Sequence, residues 1–396
     1  MKKRNLLSTL LVICLVLALA LPLITSCSSS ASVTPSTTAS STSVKPTTAA
    51  ASAQSSSTTA AAKTTTSAAT TTTAAATAAE KTWNLKYQYY ITETHVTAPA
   101  LKAHIARIEE QTGGRVKFTV YWNNAIVPTA EALDAIKSGL IDMGIVYTPN
   151  HTGQFPATDV GGLPFLFSSN KAYAATLNKL IADGLITEYD NKGFHLNYFQ
   201  PTPIQSLCLK SKAVTSMEDL SGLKLAVSSG PPTEAFKLLG AVPVTVSPPD
   251  YYLSIDRGVI DGYVIGPTYV TTVKLYEVTK SFLDLGIVMA AHFEGVNQDV
   301  WDSFPDDIKA IIAESSAQAS QEMMEIYNTE IDKAKDVMKQ NGVQFTTLSA
   351  DELERWKTTV KPGEETFIQS LNANGLDGQK IVDTAKAVEQ EMNASK

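Results

Sequence analysis

Histidine and cysteine are the first side chains to consider, because they carry much of the metal and nucleophile chemistry of proteins. Neither residue type occurs here at a metal-ligand or disulfide spacing: His95, His104, His151, His195 and His292; Cys14, Cys27 and Cys208. The sequence also lacks a G-x-S-x-G nucleophile motif, a P-loop and a G-x-G-x-x-G dinucleotide motif. We therefore predict no catalytic residue, no metal site and no cofactor, and a triad assembled only by folding stays open as the alternative.

The overall charge limits the partners that this chain can have. Its 396 residues are 44% hydrophobic and 18% charged, with a formal net charge of −7. Phosphate contacts need a basic face, so the charge argues against a nucleic-acid partner. The length is sufficient for two hydrophobic cores.

Tyr90 and Tyr147 end the first and third predicted strands, and Tyr263 follows Asp261-Gly262. In open α/β sheets ligands bind at the carboxyl ends of strands. Tyrosine offers a flat apolar ring and one hydroxyl, which suits an aromatic or weakly charged solute. The three are candidate ligand-binding residues, and packing within the cores is the alternative.

Four polar residues near these positions are further candidates. Ser228 precedes a predicted helix, where free N–H groups can hold an anion, although a plain helix cap is the alternative. Asn150 follows the third predicted strand and could donate a hydrogen bond to a ligand. Glu93 and Gln205 are candidates by position alone.

The elements that must position these residues alternate between strand and helix patterns from Trp83 onward, which predicts an α/β protein. One βαβαβ unit is predicted from strands 85–91, 116–122 and 141–147 with helices 99–111 and 129–138. A second is predicted from strands 224–228, 242–246 and 260–265 with helices 232–239 and 249–257. Two such units predict two lobes with a cleft between them.

The longest helical pattern covers residues 306–340, about 50 Å at the rise of an α-helix. That length exceeds what one small lobe needs. A coiled coil with a partner chain is one interpretation, but the apolar stripe is too irregular for strict heptads. We favour a brace within the chain.

The first 80 residues differ from the rest. Residues 1–27 combine a positive start, an apolar run and a small-residue end before Cys27, which resembles the lipobox of a bacterial lipoprotein signal peptide. A transmembrane anchor is the alternative. Residues 28–80 are low-complexity Ser, Thr and Ala and are predicted to form a disordered tether. We expect cleavage before Cys27, lipidation of its thiol and attachment to the outer side of the cell membrane.

Eight segments in order resemble the solute-binding proteins of TRAP transporters, the DctP family. They are TGGRV at 112–116, GLIDMG at 139–144, LPFLF at 163–167, EDLSGLKL at 218–225, LGAVP at 239–243, GVIDG at 258–262, YEV at 276–278 and the stretch 297–305. The resemblance covers nearly all of residues 84–390.

The resemblance implies a two-lobed, periplasmic-binding-protein-like receptor with hinge strands and a long lobe-spanning helix. It would be a monomer outside the cytoplasmic membrane that captures a small organic solute by lobe closure and delivers it to TRAP permease subunits. The first lobe would contain residues 81–203 plus 291–330, and the second residues 204–290 plus 331–396. An extracytoplasmic enzyme, or the binding subunit of a sensor, is the alternative on the same fold.

The resemblance also implies where the ligand site lies. Family members commonly hold a ligand carboxylate with an arginine at the position of Ala226, and some have a second arginine at the position of Ser206 and an asparagine at that of Ile265. Here all three polar anchors are replaced by small or apolar groups. We therefore expect an aromatic or weakly polar acid rather than a C4-dicarboxylate, with any carboxylate held by hydroxyls and amides.

Overall fold

A computed structural model describes residues 81–394 of the chain. The predicted signal peptide 1–27 with Cys27, and the predicted tether 28–80, lie outside the described residues. Among the helices of residues 81–394, none is long and apolar enough to cross a membrane.

Strands and helices alternate along most of this region. The strands are β1 (Trp83–Gln88), β2 (Val116–Tyr121), β3 (Met143–Tyr147), β4 (Phe194–Pro201), β5 (Gln205–Leu209), β6 (Lys224–Ala226), β7 (Val242–Val244), β8 (Gly262–Ile265), β9 (Ser281–Val288), β10 (Ala291–Asn297) and β11 (Gln344–Thr346). The α-helices are α1 (Ala98–Gln111), α2 (Ala132–Lys137), α3 (Asn170–Ala182), α4 (Pro231–Leu238), α5 (Tyr251–Asp256), α6 (Pro267–Thr272), α7 (Gln298–Ser303), α8 (Asp306–Gln340), α9 (Ala350–Val360), α10 (Pro362–Ala373) and α11 (Gly378–Ala394).

The first sheet has the strand order β2-β1-β3-β10-β4. β1 pairs in parallel with β2 and β3, as the helical crossovers α1 and α2 require. β10 runs antiparallel to β3 and to β4. The three strands of the first predicted βαβαβ unit are therefore neighbours in one sheet. The first strand is shorter than predicted, because residues 89–91 follow β1 outside the sheet.

The second sheet has the strand order β11-β9-β5-β8-β6-β7. β6 lies in parallel between β7 and β8, which confirms the second predicted βαβαβ unit. β5 runs antiparallel to β8 and β9. The chain passes between the two sheets at residues 201–205 and again at 288–291, so the fold is two-lobed with hinge strands.

Helix α8 spans the two lobes. Pro305 precedes it and Gly342, with a φ of 83°, follows it, as helix-start and helix-stop residues do. Its first turns bury side chains such as Ile312 and Met323 in the core beside the first sheet. Near its end Met338 packs in the core beside the second sheet. The interpretation of residues 306–340 as a brace within the chain is therefore confirmed.

The C-terminal helices differ from the predicted lobe division, which placed residues 331–396 in the second lobe. Trp356 of α9 does pack in the second-lobe core. However, Leu371 of α10 and Val382 of α11 share a first-lobe core with Leu177 of α3. The physical reason is that the apolar faces of α10 and α11 are covered by first-lobe side chains. The remaining lobe boundaries stay a prediction.

Candidate functional site

A cavity lies between the two sheets, with an empty volume of about 560 Å³ including its mouth. Its wall combines six aromatic rings with small apolar and neutral polar residues: Tyr90, Tyr147, Tyr269, Tyr327, His95 and His292; Pro203, Pro248, Pro249, Ile265 and Gly266; Thr129, Thr202, Thr268 and Gln205. First-lobe strand ends, the hinge, α6 and α8 all contribute to it.

The cavity has no fixed charge. None of the described residues that line it is Asp, Glu, Lys or Arg. Burial lowers the pKa of His95 to about 4 and that of His292 to about 3, so both imidazoles are neutral at pH 7. Burial also raises the pKa of Tyr90 and of Tyr147, so these hydroxyls keep their protons.

One wall of the cavity is a stack of three rings. His292 lies between Tyr90, at 4.9 Å with an interplanar angle of 9°, and Tyr147, at 4.7 Å with an angle of 30°. The antiparallel ladder of β3 and β10 sets His292 opposite Tyr147. Tyr90 approaches from the residues just after β1. The backbone register thus builds an aromatic wall on which a flat ligand could pack.

The two lobes are in contact around this cavity. Tyr147 Oη lies 3.1 Å from Ser228 Oγ, and Ser229 Oγ donates to the carbonyl of Pro149 at 2.8 Å. Gly162 of the first lobe is so close to Pro232 that a Cβ on it would be 2.7 Å from the proline Cδ. These contacts hold the lobes in a closed arrangement over the cavity.

The Nδ1 atoms of the two cavity histidines contact neighbouring first-lobe residues. His95 Nδ1 lies 2.9 Å from Thr97 Oγ1 and 3.2 Å from the backbone nitrogen of Thr97. His292 Nδ1 lies 3.3 Å from the carbonyl oxygen of Gln200 and must donate to it, so its Nε2 carries the lone pair. Nε2 of each ring makes no hydrogen bond within the described residues.

The sequence of this chain matches a family model. The match extends over residues 87–370 and the model describes bacterial extracellular solute-binding proteins, family 7 (DctP). The chain belongs to this family.

Curated relatives and solved structures agree with this assignment. The C4-dicarboxylate-binding periplasmic protein DctP of Rhodobacter capsulatus is 25% identical over 276 residues, 69% of this chain and 82% of that protein. Two solved TRAP solute-binding proteins share the fold. One, from a marine metagenome, is specific for aromatic acid ligands and was co-crystallised with 3-hydroxybenzoate (22% identity, TM-score 0.74, covering 78% of this chain and 99% of that one). The other, from Rhodoferax ferrireducens, holds copurified benzoate (20% identity, TM-score 0.72, covering 79% and 99%).

In this DctP-family receptor the structure brings several of the predicted site residues together. Tyr90, Tyr147, Gln205 and Ile265 all line the cavity. Ser228 does not line it but lies in hydrogen-bond contact with the hydroxyl of Tyr147. The strand-end reasoning therefore found the aromatic wall.

Three other predicted residues lie elsewhere in the second lobe. Tyr263 is fully buried in the core, with its hydroxyl against Thr279 Oγ1, and does not line the cavity. Ala226 is buried in the same cluster. Ser206 lines a different groove, beside Ile204. These positions were expected at the ligand site, but the packing of the second lobe directs them away from this cavity.

The two remaining predicted residues also lie outside the cavity wall. Glu93 is exposed and forms an ion pair with Lys102 at 2.6 Å. Asn150 ends the short turn after β3, and its Nδ2 has no hydrogen-bond partner among the described residues.

Sequence reasoning missed His95, His292, Tyr269 and Tyr327 as cavity residues. Tyr269 follows the end of β8 closely, so the strand-end argument could have found it. Tyr327 was assigned only to the apolar stripe of α8, and β10, which carries His292, was not predicted as a strand. For His95, His292 and Tyr327 the sequence alone gives no signal of a ligand.

A buried Ser-His-Glu arrangement within residues 81–394 resembles catalytic machinery. His104 Nδ1 is 2.9 Å from Ser315 Oγ, and His104 Nε2 is 3.4 Å from Glu294 Oε1. The exposed fraction is 2% for Ser315 and 0% for the other two. A substrate has no access to side chains so buried, and the cluster instead connects α1, β10 and α8.

Proposed function

We propose that this receptor captures a small aromatic or weakly polar acid, rather than a C4-dicarboxylate, and delivers it to TRAP permease subunits driven by an ion gradient. The observation that carries the proposal is a closed cavity with six aromatic rings and no cationic residue among those that line it. We propose a binding role and no enzymatic one.

The electrostatics of the cavity support this choice of ligand. A dicarboxylate would bring two negative charges out of water with no guanidinium or ammonium group to pair with them, and burial of an unpaired charge is costly. A flat aromatic ring instead gains stacking and apolar contact on the wall of Tyr90, His292 and Tyr147. The aromatic acids bound by the two structurally similar receptors support the same ligand class.

Closure of the lobes would couple binding to recognition by the permease. The ligand contacts residues of both lobes, so it stabilises the closed arrangement over the open one. The hydrogen bond between Tyr147 and Ser228 and the close approach of Gly162 to Pro232 add to the closed form. Helix α8 uses its apolar stripe within its own chain, which supports a monomeric receptor.

Calorimetric titration of the purified full chain tests the ligand class. Benzoate and 3-hydroxybenzoate are expected to bind at least about 100-fold more tightly than succinate, because about 2.7 kcal/mol or more separates the two classes once a second carboxylate is buried unpaired. Succinate binding as tight as that of the aromatic acids would overturn the proposal. Cyclohexanecarboxylate, which has a similar size but no π-face, is the matched control for stacking.

We further propose that the chain is exported, cleaved before Cys27 and lipidated on that thiol, so that the tether holds the receptor to the outer face of the cell membrane. The lipobox-like segment before Cys27 supports this.

Labelling of cells with radioactive palmitate tests the anchor. We expect the wild type to be labelled and Cys27→Ser to lose the label and the membrane association. Cys14→Ser is the matched control, because Cys14 lies in the segment that cleavage removes. A Cys27→Ser protein that still carries label would contradict the anchor.

A further inference from the structure

His292 lines the cavity, and most of its ring is already in contact with protein. It lies between the rings of Tyr90 and Tyr147, whose centroids are 4.9 and 4.7 Å away. Its Nδ1 lies 3.3 Å from the carbonyl oxygen of Gln200, which is the residue opposite it in the ladder of β10 and β4. Both faces and Nδ1 are therefore occupied, and the part of the ring left to face the cavity is the edge that carries Nε2.

Nε2 of His292 is a hydrogen-bond acceptor. A carbonyl oxygen can only accept, so the ring proton of His292 is on Nδ1 and the lone pair is on Nε2. Burial lowers the pKa of His292 to about 3, so the ring stays neutral at pH 7. Within residues 81–394 no group donates a hydrogen bond to this Nε2. An acceptor left without a donor in a buried site is costly, so a ligand that supplies a donor at this edge binds more tightly.

The carboxylate of an aromatic acid does not supply that donor. An ionised carboxylate has only acceptor oxygens, so it cannot satisfy a lone pair. It has suitable partners elsewhere in the same wall, because the hydroxyls of Thr129, Thr202 and Thr268 and the amide of Gln205 are neutral donors. The group that meets His292 is therefore a second polar group of the ligand, apart from the carboxylate, and it carries an O–H or N–H.

We propose that His292 is a specificity-determining residue and that the preferred ligand is an aromatic acid with a hydroxyl group on its ring, which donates a hydrogen bond to Nε2 of His292 while the carboxylate stays ionised. No proton is taken up and no covalent bond changes in this binding step. The inference rests on the proposed function, since it narrows the same ligand class in the same cavity.

Titration calorimetry of the full chain with the three positional isomers of hydroxybenzoate tests this preference. Each isomer is compared with the fluorobenzoate of the same substitution, because fluorine is close to a hydroxyl in size but cannot donate. The hydroxybenzoate that binds most tightly should bind about tenfold more tightly than its fluoro counterpart, which leaves Nε2 without a donor. The aminobenzoate of the same substitution has a donor again and should regain most of this factor.

The variant His292→Phe tests whether His292 is the acceptor. It keeps a ring between Tyr90 and Tyr147 but has no lone pair, so the preference for the hydroxyl should fall to about twofold or less. The affinity for the fluorobenzoate should stay within about threefold of the wild-type value. His195→Phe is the matched control: His195 stacks on Trp301 at 3.6 Å and does not line the cavity, so the wild-type preference should remain.

Nitrogen NMR of the wild type, labelled at histidine, gives a readout that does not depend on the folding of His292→Phe. The resonance of a ring nitrogen with a lone pair responds directly when that nitrogen accepts a hydrogen bond. We expect the Nε2 resonance of His292 to shift further on saturation with the hydroxybenzoate than on saturation with its fluoro counterpart. Equal shifts with the two ligands would contradict the contact.

A preference of twofold or less for the hydroxyl in the wild type would overturn this inference and leave the proposed function standing. A tenfold preference that persists in a folded His292→Phe would overturn the assignment to His292. If no aromatic acid of the series binds, the proposed ligand class fails and this inference fails with it.

Discussion

Replacement of Glu294 by alanine is expected to lower the free energy of unfolding by about 3–5 kcal/mol, because each buried donor left without an acceptor costs about 1–3 kcal/mol. Glu294 is fully buried in the first lobe. Tyr87 Oη donates to its Oε2 at 2.7 Å, and Asn197 Nδ2 donates to its Oε1 at 2.9 Å. His104 completes the cluster, 3.4 Å from Oε1.

The loss is large because the partners stay buried when the carboxylate is removed. The hydroxyl of Tyr87 and the amide of Asn197 would each lose an acceptor in a place that bulk water does not reach. His104 also contacts Ser315 on α8, so the variant weakens the attachment of the lobe-spanning helix to the first lobe.

Chemical denaturation of the wild type and Glu294→Ala, followed by circular dichroism, measures this effect. Glu93→Ala is the control, because the Glu93–Lys102 ion pair is on the surface with more than half of each side chain exposed, and such pairs contribute between zero and about 1 kcal/mol. A loss below about 1 kcal/mol for Glu294→Ala would show that the cluster does not stabilise the fold.

Replacement of Tyr147 by alanine is expected to weaken aromatic-acid binding by about 30- to 100-fold, or about 2–3 kcal/mol, as for a central aromatic contact residue. This expectation rests on the proposed ligand class. Tyr147 contributes to the site in two ways: its ring stacks on His292 in the cavity wall, and its hydroxyl lies 3.1 Å from Ser228 of the other lobe. The alanine variant loses both the wall and the contact across the cleft.

Two further variants separate these contributions. Ser228→Ala removes only the hydroxyl contact and should weaken binding by less than about tenfold, the value of one neutral hydrogen bond. Tyr252→Ala is the control for loss of a tyrosine, because the Tyr252 hydroxyl donates to Glu277 at the surface and the residue does not line the cavity. Titration calorimetry with 3-hydroxybenzoate measures all three, and a Tyr147→Ala affinity within threefold of the wild type would contradict the assignment.

Local patterns were sufficient for the parallel βαβ units and for α8. In these segments apolar residues recur with the period of a strand or a helix, and glycine or proline stands at the ends. Each element can therefore be predicted from its own residues. The helix of residues 306–340 has the predicted bounds for this reason. The family motifs, which occur in the expected order along the sequence, identified the receptor class.

The strands β5 and β10, which follow the two hinge segments, could not be predicted from local patterns. Every residue of β5 and β10 is buried, so their sequences do not alternate between apolar and polar. β10 contains the polar residues His292, Glu294 and Asn297. Their burial is possible because each forms a hydrogen bond with a residue of a neighbouring element.

The sequence and the tertiary structure each determined part of the cavity. The sequence by itself determined the two-lobed receptor fold, the tyrosines at strand ends and the absence of arginine at the position of Ala226. Only the tertiary structure decided that Tyr90 and Tyr147 face the cavity while Tyr263 faces the core, and that His95 and His292, far apart in the sequence, line the same cavity. The physical reason is that periodicity is set by neighbours along the chain, whereas the direction of a side chain is set by contacts between residues far apart in it.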